Sequence, residues 1–213
     1  MKAMISAILL AAGESKRMGV DKLSLAWGKE TLLEHCLEVL IRSEVKEVII
    51  VLGVRNKKLK DLFLKSKVKT VVNSFSDQGM SASIRVGLQV IHPGYNGVLI
   101  ALGDQPLLRT RTINSLIHAF EKREKGIIVP SFRGRKGHPV IFHRRYKKEL
   151  SDLKGDVGGR SIVEMHPEDV RLVPVKSKGV VLDIDTWQDY KNQLRPHPPL
   201  SPCLPAGRRR GEG

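Results

Sequence analysis

The chain has 213 residues, 41% of them hydrophobic, enough for one domain with a sizeable core, and no apolar run approaches the roughly 18 residues that a membrane span needs. Its formal net charge of +15 attracts nucleotides, phosphorylated cofactors or nucleic acid. With only 5% aromatic residues and cations scattered through the chain, it shows no basic stripe interleaved with aromatics, so no specific nucleic-acid partner is expected.

Met1 to Leu10 runs from a single lysine into apolar residues, and Ala11-Ala12-Gly13 imitates a signal-peptide cleavage site. The polar loop that follows makes this run a first core strand instead. A cytoplasmic protein without a membrane partner is therefore expected. Cys36 and Cys203 lack the close Cys or His neighbours of a zinc site and read as unpaired thiols in a reducing compartment.

Apolar runs predict strands over Ile5–Leu10, Glu47–Leu52, Val68–Val72, Gly97–Leu102, Ile127–Val129 and Pro139–Phe142. Amphipathic patterns predict helices over Leu32–Ile41, Lys57–Leu64, Ser81–Val90 and Thr112–Lys122. Continuous apolar strands alternating with helices imply an α/β fold, a mostly parallel sheet covered on both faces. Ligands in such folds sit at the carboxyl ends of the strands, so the segments after strands one, three and four matter most. Residues 1–194 are expected to form one domain. Residues 195–213 are Pro- and Arg-rich and are expected to be disordered. They hold four arginines and one glutamate, which leaves +12 on the body.

After the first strand come Leu10, Ala11, Ala12, Gly13, Ser15, Lys16, Arg17 and Lys22. Small residues let a ligand approach the backbone, amides in such a turn can face an anion, and the cations add charge. These are the parts of a triphosphate cradle, though neither a Walker loop nor a dinucleotide fingerprint is present. After the third strand, Asn73 precedes Gly79, Met80 and Ser81, where a helix start offers hydroxyls and free amides to a base or ribose. After the fourth, Asp104 is followed by Gln105 and Pro106, a carboxylate placed to hold Mg2+. Asp183 and Asp185 face one side of an extended segment, and either or both can complete that site. Gly137-His138-Pro139 and Gly155-Asp156-Val157-Gly158-Gly159-Arg160 read as acceptor contacts, the second combining glycine amides with an arginine suited to phosphate. His138 taken alone reads as structural.

Taken in order, Leu-Ala-Ala-Gly-x-Ser-x-Arg-Met-Gly at 10–19 with Lys22, Gly-Met-Ser-x-Ser at 79–83, Gly-Asp-Gln-Pro at 103–106, Gly-His-Pro at 137–139, Gly-Asp-x-Gly-x-Arg at 155–160 and Asp-Ile-Asp-Thr at 183–186 resemble the MobA-like nucleotidyltransferases, most closely their molybdenum cofactor cytidylyltransferase branch. The resemblance implies a Rossmann-like three-layer α/β/α sandwich. It also implies Mg2+-dependent attack of an acceptor phosphate on the α-phosphorus of CTP, with release of pyrophosphate. Arg17, Lys22 and Asp104 would be catalytic, and Asp104 with Asp185 would hold the metal. Leu10, Ala11, Ala12, Gly13, Ser15, Arg17, Lys22, Asn73, Gly79, Met80, Ser81 and Asp104 would contact the nucleotide. Gln105, Gly137, His138, Pro139, Gly155, Asp156 and Arg160 would contact a molybdopterin-type acceptor. The guanylyltransferase branch usually has Gly-Gly at the position of Ala12-Gly13, which favours CTP here. Gly159 stands where the family has Ala, and Trp187 where it has Pro.

Three other readings stay open at this level: another NTP or phosphorylated acceptor, a sugar phosphate or a phospho-acid; a non-catalytic molybdenum cofactor carrier; and delivery of product to a recipient molybdenum hydroxylase.

Overall fold

The computed structural model describes residues 2–13, 15, 17–56 and 68–194. The helix expected at Lys57–Leu64, the tail from 195, Cys203 and Lys16 lie outside the described residues.

Ten strands and six α-helices are described. Strand β1 (Ile5–Ala11) leads to a small hairpin, β2 (Ala26–Trp27) and β3 (Glu30–Thr31), and then to helix α1 (Leu32–Ile41). There follow β4 (Glu47–Gly53), β5 (Val68–Asn73), α2 (Met80–Val90), β6 (Gly97–Leu102) and α3 (Thr110–Glu121). The chain continues with β7 (Ile127–Phe132), β8 (Arg135–Lys136), β9 (Val140–His143), α4 (Lys147–Asp152), α5 (Arg160–Met165), β10 (Val170–Pro174) and α6 (Trp187–Leu194). The main sheet runs β10-β7-β9-β6-β1-β4-β5, with β8 paired to β7. β1 pairs in parallel with both β4 and β6, β4 with β5, and β7 with β10. β9 runs antiparallel between β6 and β7. The mostly parallel sheet with helices on both faces was legible from the apolar runs, and it is present.

Period-two alternation in β1 divides the core. Ile5, Ala7, Leu9 and Ala11 face one layer with Leu33, Leu37 and Leu40 of α1 and with Ile113, Leu116 and Phe120 of α3. Ile8 and Leu10 face the other, with Ile84 and Leu88 of α2, Leu150 of α4, and Ile162 and Val163 of α5. Each large aliphatic side chain buried this way contributes about 1.5–3 kcal/mol. Helix α1 starts where Thr31 forms a capping box with Glu34: the hydroxyl accepts the Glu34 amide at 3.2 Å and the carboxylate accepts the Thr31 amide at 2.7 Å.

The strand order places a switch point beside β1. The chain winds outward through β4 and β5, then returns to β6 on the other side of β1. The loops leaving β1 and β6 both run toward the face covered by α1 and α3, and a cleft lies at the carboxyl ends of these strands.

Gly159 has a local cause. A Cβ at this position would sit 2.5 Å from Cζ of Phe142, which is fully buried. The larger aromatic on β9 occupies the space that an alanine methyl would need. We expect Gly159→Ala to destabilise the fold by about 1–3 kcal/mol and the same change to cost less in a Phe142→Leu background. Chemical denaturation of both single variants and the double variant checks this; equal costs in the two backgrounds would reject it.

Candidate active site

Three segments far apart in sequence meet at the switch point. β1 and β6 lie side by side, with Leu10 opposite Leu102, so the loops carrying Lys22 and Asp104 leave the sheet together. Asp185 arrives from a segment pinned to the same turn: the Ile184 amide donates to the Asp104 carbonyl at 3.0 Å. Lys22 opens a one-turn helix, Lys22–Ser24, capped by Asp21, whose carboxylate accepts the Leu23 amide at 3.2 Å. Its own amide donates to the Ser15 hydroxyl at 3.2 Å. Ser15 holds a positive φ of 52°, which lets this tight loop bring the Lys22 backbone back beneath the strand end.

The Lys22 ammonium donates to Asp104 Oδ2 at 2.7 Å, to the Ile184 carbonyl at 2.8 Å and to Asp185 Oδ1 at 2.9 Å. Its side chain is 11% exposed, against 20% for Asp104 and 40% for Asp185. Burial alone would lower the lysine pKa, but the charges and hydrogen bonds of Asp104 and Asp185 outweigh it, and the net shift is upward. Burial pushes the Asp104 pKa up, Lys22 pulls it down, and the like charges of Asp183 and Asp185 push it up again, for a net rise. Lys22 thus favours the charged form of Asp104 against burial and its acidic neighbours. Its other oxygen, Oδ1, is buried without a hydrogen-bond partner. Arg17 reaches Asp185 Oδ2 at 3.2 Å from an exposed position, a pair worth little on its own.

Helix α6 braces this centre. The Asp189 carboxylate accepts the Thr186 hydroxyl at 2.7 Å, the Thr186 amide at 2.9 Å and the Asp185 amide at 3.3 Å. These hydrogen bonds hold its pKa below the usual carboxylate range. Trp187 Nε1 donates to the Met18 carbonyl at 3.2 Å, and the Tyr190 hydroxyl to the Ala26 carbonyl at 2.5 Å. The helix therefore grips both ends of the segment that carries Lys22. Trp187, a departure from the expected proline, supplies one of those two grips.

A cleft of about 730 Å³ opens over the centre. Of the residues singled out in the sequence, Leu10, Ala11, Ala12, Gly13, Ser15, Arg17, Lys22, Gly79, Met80, Asp104, Gly155, Asp156 and Asp185 line it. Asp183 lines it as well. Gly79 has φ +86° and no room for a Cβ against the Asp156 backbone. This contact brings the Gly79 and Gly155 loops together. From the same contact Asp156 caps α2, accepting the Met80 amide at 3.1 Å.

The remaining residues lie elsewhere. Asn73 is fully buried, donating to the Ser83 hydroxyl at 3.0 Å and accepting the Phe75 amide at 2.9 Å. Ser81 is buried beneath the Gly155 carbonyl, which accepts its amide at 3.4 Å. Gln105 is buried, with Oε1 unpartnered. Gly137 and His138 pack on the Val180 carbonyl, which accepts the His138 amide at 2.8 Å. His138 precedes Pro139 through a cis peptide, and burial holds its pKa down against the opposing charge of Asp183. Arg160 points to solvent and pairs with Glu164 at 2.7 Å. Ser83, read with the motif at 79–83, lines the cleft too, as do Leu23, Ser76, Asp77, Gln78 and Leu102, to which sequence reasoning gave no role. Most of them flank motifs that were read, so proximity to Gly79 and Lys22 was the available signal.

Comparison with known proteins agrees with this geometry. The family described as the MobA-like NTP transferase domain matches residues 7–170. The chain is 29% identical over 197 residues, 89% of its length and 96% of the relative's, to the nicotine blue oxidoreductase of Paenarthrobacter nicotinovorans. It is 26% identical over 187 residues, 87% of its length and 93% of the relative's, to the molybdenum cofactor cytidylyltransferase of Escherichia coli. The solved structure of Rv0371c from Mycobacterium tuberculosis is 30% identical with a TM-score of 0.79, covering 92% of this chain and 100% of that one. A manganese complex of Rv0371c is 28% identical with a TM-score of 0.77, over the same 92% and 100%. The chain belongs to the MobA-like NTP transferase family.

The α6 contacts carry an expectation of their own. Asp189→Ala removes the carboxylate half of the capping box that Thr186 and Asp189 form at the start of α6 and should lower the unfolding free energy by about 1 kcal/mol. It should lower NTP turnover more than it weakens NTP binding, because the Asp185 backbone loses its hold. Denaturation and steady-state kinetics on one preparation test both; wild-type turnover in the variant would count against the brace.

Proposed function

We propose that this member of the MobA-like NTP transferase family moves CMP from CTP onto a molybdopterin-type phosphorylated acceptor, releasing pyrophosphate with the help of Mg2+. The observation that carries this reading is the meeting of Lys22, Asp104 and Asp185 at the switch point, beneath a cleft lined by Ala12 and Gly79. A cleft of about 730 Å³ is within the usual range for small-molecule sites.

In this reading an acceptor phosphate oxygen attacks the α-phosphorus of the NTP. The new P–O bond forms as the bond to the β-phosphate bridging oxygen breaks, and the electron pair leaves with pyrophosphate. The nucleophile is already an anion, so no strong general base is needed, and catalysis rests on positioning and charge. Arg17 and Lys22 hold the triphosphate and offset charge growing on the leaving group. Asp104 and Asp185 are suited to a hard divalent cation: Asp104 Oδ1 is buried and lacks a partner, and three acids (Asp104, Asp183 and Asp185) face two cations. Among the described residues no cluster of three or more ligating side chains is present, so phosphate oxygens and water would complete the coordination, as Mg2+ prefers. When bound, the cation would neutralise phosphate charge.

CTP is favoured over GTP because Ala12, which lines the cleft, carries a methyl where the guanylyltransferase branch usually has Gly. One methyl gives at most about 10–200-fold discrimination. Gly155 and Asp156 are the acceptor residues nearest this cleft, with Gln105, Gly137, His138, Pro139 and Arg160 beyond it. Residues 1–194 would constitute the transferase domain, acting in the cytoplasm and passing product to a recipient molybdenum hydroxylase. Among the described residues no helix is long and apolar enough to cross a membrane.

Pyrophosphate release measured with each NTP and a panel of phosphorylated acceptors tests the reading. We expect CTP with molybdopterin to give the highest rate and Ala12→Gly to narrow the preference over GTP. Asp104→Ala and Lys22→Ala should each lower turnover about 100–1,000-fold while circular dichroism shows a folded protein at assay temperature. Near-normal release by either variant would remove these residues from the mechanism.

A further inference from the structure

Lys22 stands where a shared cation would stand. An ammonium has three N–H donors, and all three are engaged, with Asp104 Oδ2, the Ile184 carbonyl and Asp185 Oδ1. None remains for a phosphate oxygen. The ammonium already holds one oxygen of each carboxylate, Asp104 Oδ2 and Asp185 Oδ1. A divalent cation set between the same two carboxylates would meet the ammonium's like charge at close range.

The surroundings allow the lysine to leave. Its backbone is fixed independently of its side chain, through Ser15 and the Asp21 cap. Lys22 also lines the cleft, so its long flexible stem can reach a triphosphate bound there. The carboxylates it leaves cannot remain bare. Two acidic groups close together, one largely buried, are costly without a compensating cation. Asp104 already carries an unpartnered buried oxygen.

We propose that Lys22 is the resident cation of the nucleotide-free protein, excluding a divalent metal from Asp104 and Asp185 until a triphosphate draws the ammonium away. The inference rests on the nucleotidyltransferase reading and adds an order to it: metal and nucleotide bind together, each strengthening the other by the same factor. Lys22 then has two positions, one on the carboxylates and one on the phosphates, and the protein alone does not accumulate metal.

The test uses Mn2+ as the probe, followed by calorimetry and by melting temperature, on wild type, Lys22→Met and Lys22→Arg. Without nucleotide, wild type should bind Mn2+ at least about tenfold more weakly than Lys22→Met. Lys22→Arg, which keeps a cation, should resemble wild type. Lys22→Met should melt lower than wild type, and Mn2+ should raise its melting temperature while leaving that of wild type unchanged. If Lys22→Met does not fold alone, wild type decides: a non-hydrolysable CTP analogue should raise its affinity for free Mn2+ about tenfold or more. Equal Mn2+ affinity of nucleotide-free wild type and Lys22→Met, or of wild type with and without the analogue, would overturn the proposal while leaving the transferase reading intact. Failure of wild type to bind the analogue at all would instead bring down the transferase reading.

Discussion

One buried ammonium organises this protein. Lys22 is held by Asp104 from the end of β6 and by Asp185 and Ile184 from the segment before α6. It joins three stretches of chain separated by 82 and 163 residues. Removing one member of such a buried pair typically costs several kcal/mol, because the group left behind is buried and uncompensated. The same contact fixes the loop after β1, the turn after β6 and the approach of the C-terminal helix. The electrostatics and the fold of the cleft are therefore one construction.

Backbone packing around that centre explains several glycines. A Cβ on Gly137 would collide with the Val180 carbonyl, and one on Gly179 with the Leu107 carbonyl. These close approaches pull the 179–185 segment onto the turn after β6 and onto the loop before β9. Asp183 and Asp185 reach the cleft as a result. On the opposite rim, Gly79 against Asp156 does the same for the loops after β5 and α4. The Ala that the family pattern has at 159 is absent because Phe142 fills its space, so a departure in one motif is balanced by a residue on a neighbouring strand.

The sheet was legible because its central strands are apolar on both faces, as β1, β4 and β6 must be when helices cover them. β10 was not, because at a sheet edge it alternates exposed and half-buried residues over only five positions. Helix α4 has six residues, too few for a 3.6-residue period to show, whereas α5, equally short, was legible from the glycine-rich stretch that opens it at Arg160. Among site residues, the motifs named the loops correctly as neighbours but could not give side-chain direction. Arg160 reads as a phosphate ligand beside three glycines, yet Glu164 sits four residues on, the spacing of a helical ion pair, and takes it. Asn73 reads as polar and available after a strand, but its amide is consumed inside the protein by Ser83 and Phe75. Lys22 reads as a phosphate cation. That it bridges the two carboxylates depends on a contact between residues more than eighty apart, which no local pattern encodes.

Charge shows the same separation of centre from surface. The large positive total does not come from the floor of the cleft, where Asp104, Asp183 and Asp185 meet Lys22 and Arg17. It comes in part from acid-free stretches: no Asp or Glu occurs in 105–120, 125–148 or 170–182. The fold gathers these stretches. Ser131 pairs with Lys136 across β7 and β8 and with Pro174 across β7 and β10, while the Ser177 hydroxyl points at the Leu107 carbonyl. Arg109, Arg133, Arg135, Lys136, Lys176 and Lys178 are exposed along this edge, at the carboxyl ends of β6, β7 and β10. A field of that sign draws polyanions toward the edge from solution, whereas the acidic floor requires a cation to accompany any phosphate that settles there. Long-range attraction and local repulsion thus act on an anion at different distances, and Lys22 and Arg17 are the cations at the floor that offset the second.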